Sequence, residues 1–375
     1  MNKHLIAGAV ALACSQAALA QGASSVEIYG LIDVGIEHVT GVGASGDTLQ
    51  RMTTSSNTAP SRLGFRGSED LGQGNRAFFT LEQGIVMKDG SLSQGGRAFG
   101  RQALVGLSHP TLGAISLGRQ YTMTFWSGLN ADIHGGGIYG TGSVDAYLPN
   151  ARADSAVAWR KNFGNGFQLG ATYSFGRDSV NAGPSPAGTN CPQQSGDNKA
   201  CREWSLMAKY DAPTWGTAIA YDRQHGRSVG AAPDAVFGGL NSSDKTDSRF
   251  ILNGWTKVGE VKLGGGLIRR DNEGSATRPD SDLWHLGASM PVSPALTLSG
   301  QVVTLRYKNA SDYNATLMAL RATYAFSKRT NVFAQVGHIK NNKASAVALS
   351  GGSPGSSPVA GASQTGLNIG FQTAF

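Results

Sequence analysis

The sequence predicts an all-β fold: a single transmembrane antiparallel barrel of about sixteen strands, with short turns at one end and long loops at the other. Three observations carry this prediction. Apolar residues recur at every second position along most of the chain, short and long connections alternate, and the chain is polar on average. Its mean hydropathy is −0.19, and no apolar run of helix-spanning length follows residue 20. A membrane protein this polar must interleave its apolar positions with polar ones, which is the signature of a spanning barrel.

The first twenty residues read as a secretory signal to be removed. Lys3 and His4 form a short basic start, Leu5 to Cys14 an apolar stretch, and Ala18-Leu19-Ala20 a cleavage site. That stretch is about half of the roughly 20 residues a spanning helix needs. Acylation at Cys14 would make a lipoprotein instead, but Ala11 stands where such signals place leucine. The remaining 355 of 375 residues, 21–375, form one domain.

Strands follow from period two. Val26, Ile28, Ile32, Val34 and Ile36 alternate with Glu27, Tyr29, Asp33 and Glu37. Phe167, Leu169, Ala171, Tyr173 and Phe175 alternate with polar or small residues, as do Trp204, Leu206, Ala208 and Tyr210. Leu367, Ile369, Phe371 and Phe375 repeat the pattern at the end of the chain. Successive side chains on a strand point opposite ways, so each segment has one apolar and one polar or small face. Residues 99–107 and 296–307 alternate poorly. Aromatic residues near the ends of these runs, Trp159, Trp204, Trp215, Trp284 and Tyr324 among them, suit two interfacial girdles.

The connections come in two kinds. Short turns fall at Asp70 to Gly74, His109 to Thr111, Gly164 to Gly166, Ala212 to Thr214, Val258 to Glu260, Pro291 to Pro294 and Ser327 to Arg329. Longer polar segments lie between them, near 41–57, 88–97, 121–154, 177–202, 226–246, 270–281, 308–313 and 340–363. Short turns on one side and long loops on the other separate a membrane barrel from a soluble sandwich.

Composition excludes several functions. With Lys3 removed, 31 basic residues face 25 acidic ones, and no Lys/Arg block suggests nucleic-acid binding. Glycine supplies 52 of 375 residues, about twice its usual share. Cys191 and Cys201 are the two cysteines left after the signal, an even count that favours a disulfide in an exported chain. They lack His or Cys company at zinc-ligand spacing. The pattern predicts neither metal nor cofactor. Gly41 to Gly46 matches G-x-G-x-x-G, but the fingerprint needs a helix next and a flexible loop is expected. Gly351 to Gly355 matches G-x-S-x-G, yet Pro354 removes the N–H an oxyanion hole would use. The histidines are scattered, so no enzyme signature emerges.

Several phrases resemble the trimeric general porins of Gram-negative outer membranes, particularly the beta-proteobacterial type. They are Ser25-Val26-Glu27-Ile28-Tyr29-Gly30, Ser61-Arg62-Leu63-Gly64-Phe65-Arg66-Gly67-Ser68-Glu69-Asp70-Leu71-Gly72, Gly100-Arg101-Gln102-Ala103-Leu104-Val105-Gly106-Leu107 and Leu117-Gly118-Arg119-Gln120-Tyr121. Terminal Phe375 resembles the family's assembly signal. The resemblance implies a homotrimer in the outer membrane, in contact with lipid bilayer and lipopolysaccharide and inserted by the barrel-assembly machinery. It implies passive diffusion of small hydrophilic solutes and ions, without cofactor. It also implies that loop 121–154 folds inward to face basic residues on the wall.

Arg62, Arg101 and Arg160 match wall arginines of that family, and Leu31 stands where some members carry a lysine. Asp132 and Asp145 are the candidate acids of the inward loop. Period two independently turns Arg62, Arg66 and Arg160 inward if Leu63, Phe65, Val157 and Trp159 face lipid. A lipid-facing arginine at the bilayer midplane would cost roughly 2–4 kcal/mol. Fixed arginines favour anions, so the expectation is a weakly selective channel leaning to anions. A substrate-specific channel, an outer-membrane enzyme and an adhesin are the alternatives.

Overall fold

The computed structural model describes residues 24–53, 56–145, 147–148, 151–178, 191–228, 240–351, 353 and 355–375. The expected signal, residues 1–20, lies outside them. Seventeen strands join in one antiparallel sheet: β1 (Ser25–Val42), β2 (Asp47–Met52), β3 (Arg62–Gly72), β4 (Asn75–Gly84), β5 (Gln102–His109), β6 (Gly113–Tyr121), β7 (Arg152–Asn162), β8 (Phe167–Ser174) and β9 (Glu203–Asp211) in the first half. β10 (Trp215–His225), β11 (Thr246–Val258), β12 (Val261–Asn272), β13 (Asp280–Pro291), β14 (Leu296–Tyr307), β15 (Ala315–Ala325), β16 (Thr330–Asn341) and β17 (Gln364–Ala374) complete it.

From β3 onward each strand pairs with the next, and β17 returns to β1 in the register Leu31↔Ala374 to Val39↔Gly366, which closes the barrel. β2 and β3 share one edge of β1, β2 along Ile36 to Val42 and β3 along Ser25 to Leu31. They occupy a single wall position, so the seventeen strands make sixteen staves. Between β2 and β3 the chain leaves the wall and folds inward, where Asp33 holds it. Asp33 accepts hydrogen bonds from Asn57 Nδ2 (2.7 Å) and from the backbone N–H of Thr58 (3.0 Å).

All the short turns fall where the sequence places them. The Gly41 to Gly46 segment is a correction, because it forms a hairpin tip leading into β2 rather than a flexible loop. Gly41, Gly43 and Gly46 carry φ of 72°, 66° and 68°, the left-handed region that glycine enters without strain.

The two faces of the sheet decide the environment. Outward residues are apolar and bare: Ile36 and Leu286 are 66% and 68% exposed, and Leu206, Leu320, Ile369 and Phe371 accompany them. Inward neighbours are polar and buried, as with Glu37, Ser205, Asp222, Gln335 and Asn368. A water-soluble protein puts these classes the other way round. No helix among the described residues is long and apolar enough to cross a membrane; the barrel crosses with its strands.

β5 and β14 are full strands despite their irregular sequences. Part of the inner wall under the inserted loop is apolar. Val303, Leu305, Leu317, Ile339, Ile251 and Ile268 form the interior core with Tyr139 of the loop between β6 and β7. Packing against an inserted loop replaces contact with water, so strict alternation is not required there.

Candidate pore constriction

The segment between β6 and β7 enters the lumen and lies against the wall. It carries two short helices, α1 (Met123–Gly128) and α2 (Thr141–Val144). Met123 N–H donates to Ser205 Oγ (2.9 Å) and Thr124 Oγ1 to Asp222 Oδ2 (3.2 Å), which fixes α1 to β9 and β10. Farther along, the loop approaches wall glycines too closely for any side chain. A Cβ on Gly264 would sit 2.3 Å from Ala131 O, and one on Gly366 2.4 Å from Tyr139 Oη. Part of the chain's glycine excess is thereby explained: bare backbone on the inner wall makes the bed for this loop.

Facing the loop, the wall presents a compact charged group. Arg62, the first residue of β3, places Nε 3.6 Å from Glu82 Oε2, and its Nη1 donates to Pro60 O (3.1 Å). Arg101, just before β5, donates from Nε to Glu82 Oε1 and from Nη2 to Tyr121 Oη, both at 2.7 Å. Tyr29 Oη donates to Glu82 Oε2 (3.0 Å). Arg152 at the start of β7 donates to the same Tyr121 hydroxyl (2.6 Å) and stacks over its ring at 4.3 Å. One carboxylate thus serves two guanidinium groups. This group and α1 border a space of about 330 Å³, with Phe125, Leu129 and Asp132 on the loop side.

The candidate acids have other engagements. Asp132 Oδ1 accepts from Gly135 N–H (3.0 Å) and Gln301 Nε2 (2.9 Å), and its Oδ2 from Thr141 Oγ1, so it braces its own loop against β14. Asp145 lies 3.2 Å from Arg249 of β11. Burial alone would raise the Asp145 carboxyl, but Arg249 and Arg270 hold it below the usual carboxylate range. Neither acid forms a hydrogen bond or salt bridge with Arg62 or Arg101.

The other two candidate arginines are separate. Arg66 shares the inner face of β3 with Arg62 but pairs with Glu27 at 2.8 Å, both half exposed near the short-turn end. Arg160 stacks on Trp126 of α1 at 3.8 Å.

Glu82, Tyr121, Arg152 and Arg249 are parts of this arrangement that the sequence reading missed. Glu82 was accessible to it, since Phe79 and Leu81 on β4 alternate with Thr80 and Glu82.

His134, on the same loop, is buried between Tyr139 O (Nδ1, 3.2 Å) and Ser299 Oγ (Nε2, 3.1 Å). Burial and then the charge of Arg321 push its pKa down to about 4, so the ring is neutral at physiological pH. A carbonyl only accepts, so Nδ1 carries the proton and Nε2 accepts from the serine.

Cys191 and Cys201 are joined by a disulfide, Cα–Cα 5.1 Å, at the end of the loop between β8 and β9. Terminal Phe375 pairs with Gly30 through two backbone bonds of 3.1 Å. Its ring lies where a Gly30 Cβ would be 2.3 Å away. Ser353 of the G-x-S-x-G match is buried, and its carbonyl accepts from Arg51 (2.8 Å). Among the described residues, no group of three His, Cys, Asp or Glu side chains has a metal-binding arrangement.

Comparison with known proteins agrees with this architecture. The sequence profile of the Gram-negative porins matches residues 7–344. An outer membrane porin protein of Delftia acidovorans is 31% identical over the full length of both chains. One of Bordetella pertussis is 28% identical over 91% of this chain and 95% of its own. Among solved structures, the anion-selective porin of Comamonas acidovorans superposes with a TM-score of 0.71 at 24% identity, covering 94% of this chain and 100% of that one. The chain belongs to the Gram-negative porin family and forms a channel of the outer membrane.

Proposed function

We propose that the channel passes small hydrophilic solutes and ions by diffusion, with a lean to anions set by Arg62 and Arg101. One observation carries this reading: Arg62, Arg101 and Arg152 gather about the single carboxylate of Glu82 and the hydroxyl of Tyr121, three positive charges against Glu82 and the facing Asp132, while Asp145 is paired with Arg249. Guanidinium stays protonated at physiological pH, so the wall keeps a surplus positive charge. Between low-dielectric walls that charge raises the local concentration of anions. The anion-selective name of the Comamonas porin supports the same direction. Arg160 extends the positive lining towards the short-turn end, whereas Glu27 neutralises Arg66.

Diffusion of this kind requires neither cofactor nor turnover, which sets the protein apart from an outer-membrane enzyme. A homotrimer, as in the trimer form solved for a Vibrio cholerae outer membrane protein of the same fold, would bury part of the exposed apolar belt. Lipopolysaccharide would meet the rest in the outer leaflet, and the barrel-assembly machinery would read Phe375. The test is the reversal potential of purified protein in planar bilayers across a salt gradient. Anion preference that falls in Arg62→Gln and Arg101→Gln is expected, and cation preference in the parent protein overturns the reading.

A further inference from the structure

We infer that the constriction favours amphiphilic organic anions, small carboxylates carrying a flat apolar body such as an aromatic monocarboxylate, over inorganic anions and compact acids. The inference rests on the anion reading above and names the solute class of the same site.

The narrowed space has two unlike halves. One is the cationic wall. Arg101 is 4% exposed, and its Nη1 is buried with no hydrogen-bond partner among the described residues, although Nε and Nη2 are both used. Among the described residues, Arg62 beside it makes only the 3.1 Å bond to Pro60 O and the longer approach to Glu82. Spare guanidinium N–H groups in a planar fork match a carboxylate in geometry and charge.

The other half is mostly apolar, with Asp132 as its one acid, and a passage meant only for hydrated ions does not need that apolar surface. Leu129 is 48% exposed inside the lumen, at the C-terminal end of α1. Phe125 stacks on Tyr121 with ring centroids 3.7 Å apart and planes 13° from parallel. Leu148, Ile251 and Ile268 line the same space. Apolar surface left in water gains when a solute covers it. Sites that hold small molecules are mostly apolar, with a few convergent polar groups that orient the ligand. About 330 Å³ holds a single-ring acid, its carboxylate towards Arg62 and Arg101 and its ring towards Leu129 and Phe125.

Benzoate and acetate carry the same charge and the same carboxylate, so the ring is the only difference between them as probes. Added to the chloride bath of the full-length protein in planar bilayers, benzoate should reduce chloride current at about tenfold lower concentration than acetate, equivalent to about 1.4 kcal/mol. Leu129→Asn should bring that ratio towards one, and Arg62→Gln should weaken block by both acids. If Leu129→Asn does not assemble, Leu129→Thr is judged by the same ratio.

Equal block by the two acids in the parent protein overturns the inference, as does a ratio unchanged by polar substitution at Leu129. Cation preference in a salt gradient is a separate outcome: it removes the anion reading, whatever the benzoate ratio is.

Discussion

Arg101, just before β5, and Glu82 of β4 form a 2.7 Å ion pair in which both side chains are nearly shut off from water, 19 positions apart in sequence. Arg62 approaches the same carboxylate at 3.6 Å from the other side. The pair therefore divides two tasks. It anchors Arg101 beside the space under the inserted loop, and it leaves one positive charge of the two uncompensated.

The first prediction separates those tasks. Glu82→Gln removes the only carboxylate among the described residues within salt-bridge distance of either arginine, so anion preference should increase. Losing one partner of a buried pair also costs on the order of 3–5 kcal/mol. Reversal potential and thermal denaturation of the same preparation should move together: greater anion selectivity with a lower Tm. A shift towards cations would show that Glu82 does not set the balance of charge.

A second prediction concerns the glycine bed. Tyr139 Oη donates to Glu37 Oε1 (3.1 Å) only because Gly366 leaves room for the ring. Gly366→Val would force Tyr139 and its loop away from the wall into the lumen. Single-channel conductance should fall, while the folded barrel persists as a heat-modifiable band in gel electrophoresis. Unchanged conductance would mean that the loop has slack at this contact.

Much of the barrel was legible because one local rule, the two-residue period, was enough to find it. The same rule put Arg62 and Arg66 on the inner face, and Leu63 and Phe65 outside. It did not predict which inward residues meet one another. Asp145 is 104 positions from Arg249, and Asp132 is 169 from Gln301; only the closed sheet and the inserted loop bring them together. The poor alternation of 296–307 has the same origin, since Val303 and Leu305 face the loop rather than water. The inward placement of 57–59 depends on Asp33, a strand residue that looks like any other polar lumen position.

Acid should loosen the inserted loop through His134. Its folded pKa is pushed down to about 4 from an ordinary 6.5. Above pH 6.5 the ring is neutral whether the loop is seated or released, and the seated loop has its full stability. Between 6.5 and 4 a released ring takes up a proton that the seated ring refuses, so stability declines as pH falls. Below 4 the loss levels off at roughly 3 kcal/mol. Current noise should rise between pH 7 and pH 4, and His134→Gln should flatten this rise. A variant as noisy in acid as the parent would transfer the effect to the acids.

The disulfide should matter to stability and not to conduction. Cys191 and Cys201 close a segment of sequence separation 10 in the loop between β8 and β9. Such a cross-link contributes roughly 3 kcal/mol by restricting the unfolded chain. Cys191→Ser with Cys201→Ser should lower the Tm and leave conductance and reversal potential as they are. A change in selectivity would show that this loop reaches the conduction path.

The loop's far anchor offers the sharpest test of how the constriction is held. Arg249 is 1% exposed and lies between Asp145 of the loop (3.2 Å) and Asp247 of its own strand (3.4 Å), with the ring of Tyr147 at 4.7 Å. Arg249→Met strands a buried carboxylate, a loss of about 3–5 kcal/mol. Protonating Asp145 is one way out and freeing the loop is the other, so channels should flicker at neutral pH and grow quieter in mild acid. Arg249→Met combined with Asp145→Asn removes the stranded charge and should recover much of the steady current. If the double variant flickers as much as the single one, the guanidinium holds the loop through groups other than Asp145.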